Sequence, residues 1–446
     1  MENYDLIIRQ QQIAQEKSIN AATLPTRDYF ALLKDKCNSF LSKGGKELFI
    51  MPGLRGIGKT TVFLQLYAYL KNIMPPNRLF FLSLDEANKF NISLSDLQEI
   101  IEKEIVNKPL GLLKDNFIFI LDEIQYSEKW SLALKLLYDQ GENIFIVATG
   151  SSAIKVKESA DVARRRTLKP MYPLRFREYL LLQGIEIPKF DWLKLFEGDY
   201  ESLESFWNKN QDYKLPGMVH DYLYRGGFPF KKEEATEKIQ DLITKIIHRD
   251  IEQSIQDVDT LQVERLVNYL AILKTGETSM EKLSLKVGIS KPSVMKYLDY
   301  LEKAELLFCV KPYSASSESV RKANKYYFAN ASLKAALLAK ISPDINREET
   351  LGELLESAIF SSINSYLIEK NQAYQIFYDP KGSDFIIRFE NGRKIVVEVK
   401  KGSPKGSQIN KTMKKINAKL GITISSSPLR KTEDRLKIPV ELFLLM

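Results

Sequence analysis

Between residues 47 and 150 the chain alternates short, mostly apolar runs with longer stretches in which apolar positions return every three or four residues. ELFIM (47–51), RLFFLSLD (78–85), FIFILDE (117–123) and NIFIVATG (143–150) are rich in aromatic and β-branched residues and have strand length. Helical spacing fills 59–73, 94–106 and 129–140. Strands that read as continuous apolar runs must be covered on both faces, so the alternation predicts a parallel sheet between helical layers, an α/β fold.

Residues 188–216, from PKFDW to Pro216, are polar, acidic and aromatic and read as an insertion or lid, and 217–260 read as mostly helical. From 261 to 330 three helical patterns precede two strands, LFCVKPY (307–313) and NKYYFAN (324–330), joined by a polar SASSES loop. A long amphipathic helix from Glu348 to Glu369 then leads into YQIFYD, DFIIRFE and KIVVEVK, with a hairpin signal at Asn391-Gly392. The expected divisions are 1–187, 188–260, 261–344 and 345–446.

Composition narrows the function classes. With 446 residues, 44% apolar and 27% charged, the chain is neither fibrous nor disordered. Two cysteines, Cys37 and Cys309, make no disulfide framework and fit a reducing compartment. Two histidines, His220 and His248, argue against zinc held by histidine and against a Ser-His-Asp nucleophile. MENYDLIIRQQQIAQEK has no signal-peptide pattern and no apolar run reaches the roughly 18 residues of a membrane span, so a cytoplasmic protein without a membrane partner is expected. The net charge of +8 is placed unevenly, because residues 391–446 hold 13 Lys/Arg against 4 Asp/Glu. A basic tail on a neutral body points to a polyanion, nucleic acid before membrane.

The sharpest motif is Gly53-Leu54-Arg55-Gly56-Ile57-Gly58-Lys59-Thr60, followed by Thr61, directly after a strand and opening a helix. It fits G-x-x-x-x-G-K-[ST], the P-loop for ATP: glycines let backbone N–H groups curl around phosphates, Lys59 reaches the β and γ oxygens, and the Thr60 hydroxyl ligates Mg²⁺. Asp122 and Glu123 end an apolar strand at the edge where open α/β sheets bind ligands. Asp122 would hold magnesium through water, and Glu123 would polarise the attacking water. The next strand ends in Ala148-Thr149-Gly150-Ser151-Ser152, whose hydroxyls could sense the γ-phosphate or simply cap a helix. Among Arg164, Arg165 and Arg166, one could be a cationic finger for this subunit or a neighbour, the alternative being a solvated basic run at a helix end. His248-Arg249-Asp250 imitates a kinase catalytic loop but has Ile255 where that motif requires Asn.

These motifs, in this order, with YPLRFREYL (172–180) and Arg225-Gly226-Gly227-Phe228-Pro229, resemble a family of bacterial and archaeal AAA-type ATPases over much of residues 45–250. The resemblance implies a P-loop ATPase core, a helical lid, a winged helix and a C-terminal domain related to PD-(D/E)xK nucleases. It also implies that Lys59, Thr60, Asp122 and Glu123 hold the roles above, that Thr149 is a sensor and one of Arg164 to Arg166 a finger, and that the protein is a homo-oligomer.

Residues 280–307 read as helix-turn-helix: Gly288 in the turn, Ser290 as N-cap, Pro292 in the first turn, and Val294, Leu298 and Leu301 inward. Lys291, Ser293 and Lys296 would face a groove, offset by Asp299 and Glu302, which leaves DNA docking and protein contact both open. In the tail, period-two geometry puts Glu398 and Lys400 on one strand face near Asp384. Asp384 and Glu398 could bind Mg²⁺, Lys400 could help deprotonate water, and Glu356 or Glu353 could complete the set. This resembles the PD-(D/E)xK core over 350–425, a small α/β restriction-endonuclease-like domain, although the Gly382-Ser383-Asp384 turn is one residue shorter than that family's lead-in. The alternatives are a salt-bridged strand face or a nuclease fold kept for binding. The expected function is an ATP-hydrolysing switch or motor coupled to a DNA-binding or DNA-cleaving module. The alternative is a regulatory ATPase whose tail only binds nucleic acid or protein.

Overall fold

The computed structural model describes residues 2–150, 164–212, 214–252, 258–274, 277–313, 323–342, 347–400, 407–432 and 434–446. Ser151, Ser152, Ile255 and the SASSES loop lie outside them. The chain divides into two compact units, Met1–Tyr172 and Pro173–Met446. No helix among the described residues is long and apolar enough to cross a membrane.

The first unit is built on β1 (Lys46–Pro52), β2 (Leu79–Ser83), β3 (Phe117–Asp122), β4 (Ile144–Gly150) and β5 (Arg166–Leu168), in the order β2-β3-β4-β1-β5. Every pairing is parallel, as the buried apolar runs require. All residues of β3 and β4 are buried, so helices must cover both faces. The helices Lys59–Leu70 and Trp130–Gln140 occupy the expected stretches, whereas 94–106 splits into an α-helix, Leu94–Ile100, and a π-helical turn, Ile101–Val106.

Two helices ahead of the sheet, Glu2–Ala22 and Asp28–Lys43, were not expected. The first closes the open edge of β2 with side chains. Gln11 donates to Phe81 O (2.8 Å) and accepts from Phe81 N (3.0 Å), while Gln10 does the same with Ser83, both bonds at 3.1 Å. Two amides thereby imitate a neighbouring strand and block edge-to-edge pairing.

The second unit carries an eight-stranded mixed sheet, β12-β13-β11-β10-β9-β8-β6-β7, from β6 (Leu307–Pro312), β7 (Lys325–Phe328), β8 (Tyr374–Tyr378), β9 (Phe385–Phe389), β10 (Lys394–Val399), β11 (Leu420–Ser425), β12 (Arg430–Lys431) and β13 (Arg435–Pro439). The β6/β7 hairpin, placed with the helix-turn-helix from sequence, joins the tail's sheet through the pairs Lys311–Phe377 and Pro312–Tyr378. β9 and β10 form the hairpin signalled by Asn391-Gly392, with Gly392 at φ 80. Helices Met280–Val287 and Lys291–Lys303 flank Gly288 in the left-handed conformation, Ser290 accepts from Ser293 N, and Val294, Leu298 and Leu301 are buried. The stretch expected as an insertion or lid forms helices Trp192–Glu197 and Tyr200–Asn210 and packs into this unit's core. Trp192 lies against Phe443 at 5.4 Å between ring centroids, and Tyr366 donates to Asp191 (2.8 Å).

Candidate nucleotide site and a carboxylate cluster

β1 ends at Pro52, and the chain then turns through Gly56 (φ 73) and Gly58 (φ 97) into the helix Lys59–Leu70. Both φ values belong to the left-handed region that glycine enters without steric cost. Gly53 is required for a different reason: a Cβ there would lie 2.3 Å from Met171 O. The Lys59 ammonium is buried in the loop, donating to the carbonyls of Gly53 (2.9 Å) and Leu54 (2.8 Å). Arg55 donates to the Tyr126 hydroxyl.

The loop is braced by a residue that the sequence reading missed. Buried Arg27 donates one guanidinium nitrogen to Ile57 O inside the loop (2.8 Å) and another to Tyr172 O (3.0 Å), while Tyr29 donates to Pro170 O (2.9 Å). Both lie ahead of the first strand, in a stretch that carries no motif. The one signal available was an arginine immediately before an aromatic helix start.

Asp122 closes β3, and the pairing of Leu121 with Ala148 brings Thr149 of β4 alongside it. Its carboxylate accepts from Thr60 Oγ1 on Oδ2 (2.8 Å) and from Thr149 Oγ1 on Oδ1 (2.6 Å). The Thr149 hydroxyl in turn accepts from Glu123 N (3.0 Å). Burial, and then the neighbouring Glu123 charge, push the Asp122 carboxyl above the ordinary carboxylate range, opposed by the two threonine bonds and Lys59. Glu123 is left-handed at φ 58, ψ 51, a strained conformation for a residue with a Cβ, and Gln125 donates to its carboxylate. The fold therefore brings Lys59, Thr60, Asp122, Glu123 and Thr149 together at one sheet edge. Side by side, the Thr60 hydroxyl and Asp122 carboxylate are the hard oxygen donors that suit magnesium.

The three arginines stand apart from this edge. Arg166 pairs with Leu48 at the opposite end of β1, about 16 Å from Gly53 at roughly 3.3 Å per residue. Arg165 bonds Asp139 (2.9 Å), and Arg164 is exposed. Arg166 also corrects the reading of a helix end, since it opens strand β5.

In the second unit, Glu356 on the helix Arg347–Glu369 accepts from Lys325 Nζ (3.1 Å) and from the Tyr327 hydroxyl. Lys325 also lies 3.9 Å from Asp384, which accepts from Val399 N (2.8 Å). Burial, followed by the Glu356 charge, raises the Asp384 carboxyl. Glu398 is buried and its Oε1 lies 2.8 Å from Lys400 Nζ, the shared face that period two predicts. Glu353 is turned to a different partner, Lys334 (2.5 Å). Glu356 and Asp384 thus share the Lys325 ammonium, while Glu398 and Glu353 each face a different lysine, and among the described residues no group of three or more His, Cys, Asp or Glu side chains could hold a metal ion. On the helix-turn-helix, Lys291 is paired with Glu281, Ser293 is bonded to the capping Ser290, and Lys296 lies over the Tyr300 ring.

Residues 45–180 match the family model of an AAA domain, and 217–344 match that of a domain of unknown function. The uncharacterized protein MJ1637 of Methanocaldococcus jannaschii is 36% identical over 426 residues, 94% of this chain and 88% of that protein. The chain belongs to its family. The family's AAA-type P-loop ATPase core holds the phosphate loop and the Asp122 cluster described above. An uncharacterized protein of Haemophilus influenzae is 23% identical over 355 residues, 76% of this chain and 79% of its own length. Among solved structures, the Aeropyrum pernix ORC2 protein in its ADPNP–ADP complexes aligns at TM-score 0.35 and 15% identity, over 70% of this chain and 92% of that chain. DnaA from Aquifex aeolicus bound to AMPPCP aligns at TM-score 0.25 and 13% identity, over 62% and 89%.

Proposed function

We propose that the chain is a magnesium-dependent ATPase acting as a switch or motor for a DNA-binding module in its second unit. The observation that carries this reading is the Asp122 carboxylate bound by both Thr60 and Thr149, at the sheet edge where the loop holds Lys59. Lys59 would leave the loop carbonyls for the β and γ oxygens of ATP, and the loop N–H groups would hold the same phosphates. Water then attacks the γ-phosphorus, its proton passes to the Glu123 carboxylate, and the bond to the ADP oxygen breaks. Magnesium, held by Thr60 and Asp122, would supply positive charge to the phosphate oxygens. Thr149 has one hydroxyl proton and gives it to Asp122, so its role in this reading is to position the two acids rather than to sense phosphate. Arg165 and Arg166 lie too far along β1 to serve their own site, which supports a finger supplied to a neighbouring subunit and hence a homo-oligomer.

For the second unit the reading is a winged helix-turn-helix joined to a nuclease-like sheet, within the four-part division expected from sequence. The net +9 of residues 391–446 supports a nucleic-acid partner, DNA in particular through the nuclease resemblance. Lys325, seated between Glu356 and Asp384, favours a second reading in which this tail binds without cutting, because its ammonium already balances the carboxylates that a metal would need. Incubating the protein with plasmid and branched DNA, with Mg²⁺ or Mn²⁺ and with or without ATP, separates the two. Cleavage that disappears in Glu398→Ala supports the nuclease, whereas binding of DNA without cleavage supports the second reading. Absence of both would refute a DNA-directed role.

A further inference from the structure

Arg393, Lys394, Lys419, Lys431 and Arg435 of the second unit line one cavity of about 360 Å³, in which Glu197 is the only lining acid among the described residues. The cavity sits where β10, β11 and β13 begin. The parallel register pairs Ile395 with Leu420, so Lys394 and Lys419, each one residue earlier, start neighbouring strands about 4.8 Å apart. Like charges so placed repel each other and cost stability unless an anion sits among them.

The cations are also partly held in place. Lys431 lies 5.5 Å from the Tyr200 ring centroid, Arg393 donates to Phe196 O (3.2 Å) and Lys394 donates to Ile416 O (3.0 Å). Glu197 and Asp434 approach Arg393 (3.9 Å) and Arg435 (3.3 Å), but both acids are mostly exposed and screened by water. Among the described residues, neither Lys419 nor Lys431 has a carboxylate within ion-pair distance. This is not the carboxylate cluster: Lys394 and Glu398 are four residues apart on β10, about 13 Å at roughly 3.3 Å per residue.

We propose that this cavity seats the sugar-phosphate backbone of duplex DNA, an inference that rests on the nucleic-acid reading above and names its surface. The volume would hold about twelve waters at roughly 30 Å³ each, more than a lone phosphate group fills.

The test is fluorescence anisotropy of the full chain with labelled duplex DNA across a salt series. The control doublet, Lys411→Gln with Lys414→Gln, changes two exposed lysines on the helix Ser407–Ile416 and makes the same change in net charge as Lys419→Gln with Lys431→Gln. Each phosphate contact contributes about 0.9 to the log–log salt slope, so the Lys419/Lys431 doublet should weaken about twelvefold less than wild type when salt rises from about 50 to about 200 mM. Circular dichroism should be unchanged, since all four lysines are exposed. A wild-type slope in the Lys419/Lys431 doublet, or an equal loss in the control, would overturn the cavity while leaving DNA binding in place. A wild-type chain that binds no duplex even at low salt would overturn the nucleic-acid reading and the cavity with it.

Discussion

Thr149→Val replaces one hydroxyl by a methyl group and breaks two bonds at once. The first is the 2.6 Å bond from Thr149 to Asp122; hydrogen bonds to charged groups contribute about 1.5–3 kcal/mol. The second is the 3.0 Å bond from Glu123 N, which helps to hold Glu123 in a left-handed conformation that costs about 1–2 kcal/mol in a residue with a Cβ. The two terms run through a single hydroxyl and do not simply add, so the expected loss is about 3 kcal/mol. For a unit spanning Met1–Tyr172, at about 2–4 °C per kcal/mol, the melting temperature should fall by roughly 6–12 °C. With Glu123 released, turnover should fall about 10²-fold, the lower end of what a positioned base supplies. Nucleotide affinity should change little, because Lys59 and the loop are untouched. Thr149→Ser keeps the hydroxyl and should restore most of both losses. Thermal melts, titration with a fluorescent nucleotide and single-turnover hydrolysis measure the three quantities. A Thr149→Val protein with wild-type melting and turnover would refute the positioning argument.

Arg27→Ala should lower nucleotide affinity roughly tenfold, because losing the bonds to Ile57 O and Tyr172 O frees the phosphate loop, at about 1.4 kcal/mol for each factor of ten; unchanged affinity by calorimetry would contradict this. Mixing Glu123→Gln subunits with an Arg165→Ala, Arg166→Ala doublet should restore some hydrolysis, since each supplies what the other lacks; concentration-independent turnover by a strict monomer would exclude a shared site. Lys325→Met should destabilise the fold by about 3–5 kcal/mol, because it strips Glu356 of its buried partner. Asp384 already has a folded pKa above its unfolded value, so its contribution is full below the unfolded pKa and is lost as pH rises through the folded one. Removing Lys325 raises the folded value further, and the variant's melting deficit should therefore be larger at about pH 8 than at about pH 5; a deficit independent of pH would contradict the cluster as described.

Elements that repeat a local pattern were legible before any coordinates. The four apolar strands 47–51, 78–85, 117–123 and 143–150 needed only their own composition, and the phosphate loop needed only its spacing and its place between strand and helix. β5 was hidden because Arg166, Thr167 and Leu168 alternate nothing over three residues and exist as a strand only through pairing with Leu48, Phe49 and Ile50. Arg27 was hidden for the same reason, since its value lies in a carbonyl 30 positions away. Gln10 and Gln11 look like any polar helix face until the edge of β2 is placed beside them. In the second unit, Asp384, Glu398 and Lys400 could be read from strand parity, but the intruding partner, Lys325, comes from a hairpin about 60 residues upstream that period-two reasoning cannot place.

The most direct test of the ATPase assignment is hydrolysis measured beside nucleotide affinity in Lys59→Ala and Glu123→Gln. Lys59→Ala should bind no nucleotide, because it removes the loop's own charge on the β and γ oxygens. Glu123→Gln should bind as wild type does and turn over at least about 10²-fold more slowly, since it removes the base and leaves the loop, Thr60 and Asp122 intact. Wild-type turnover in Glu123→Gln, or wild-type affinity in Lys59→Ala, would contradict the assignment of the site.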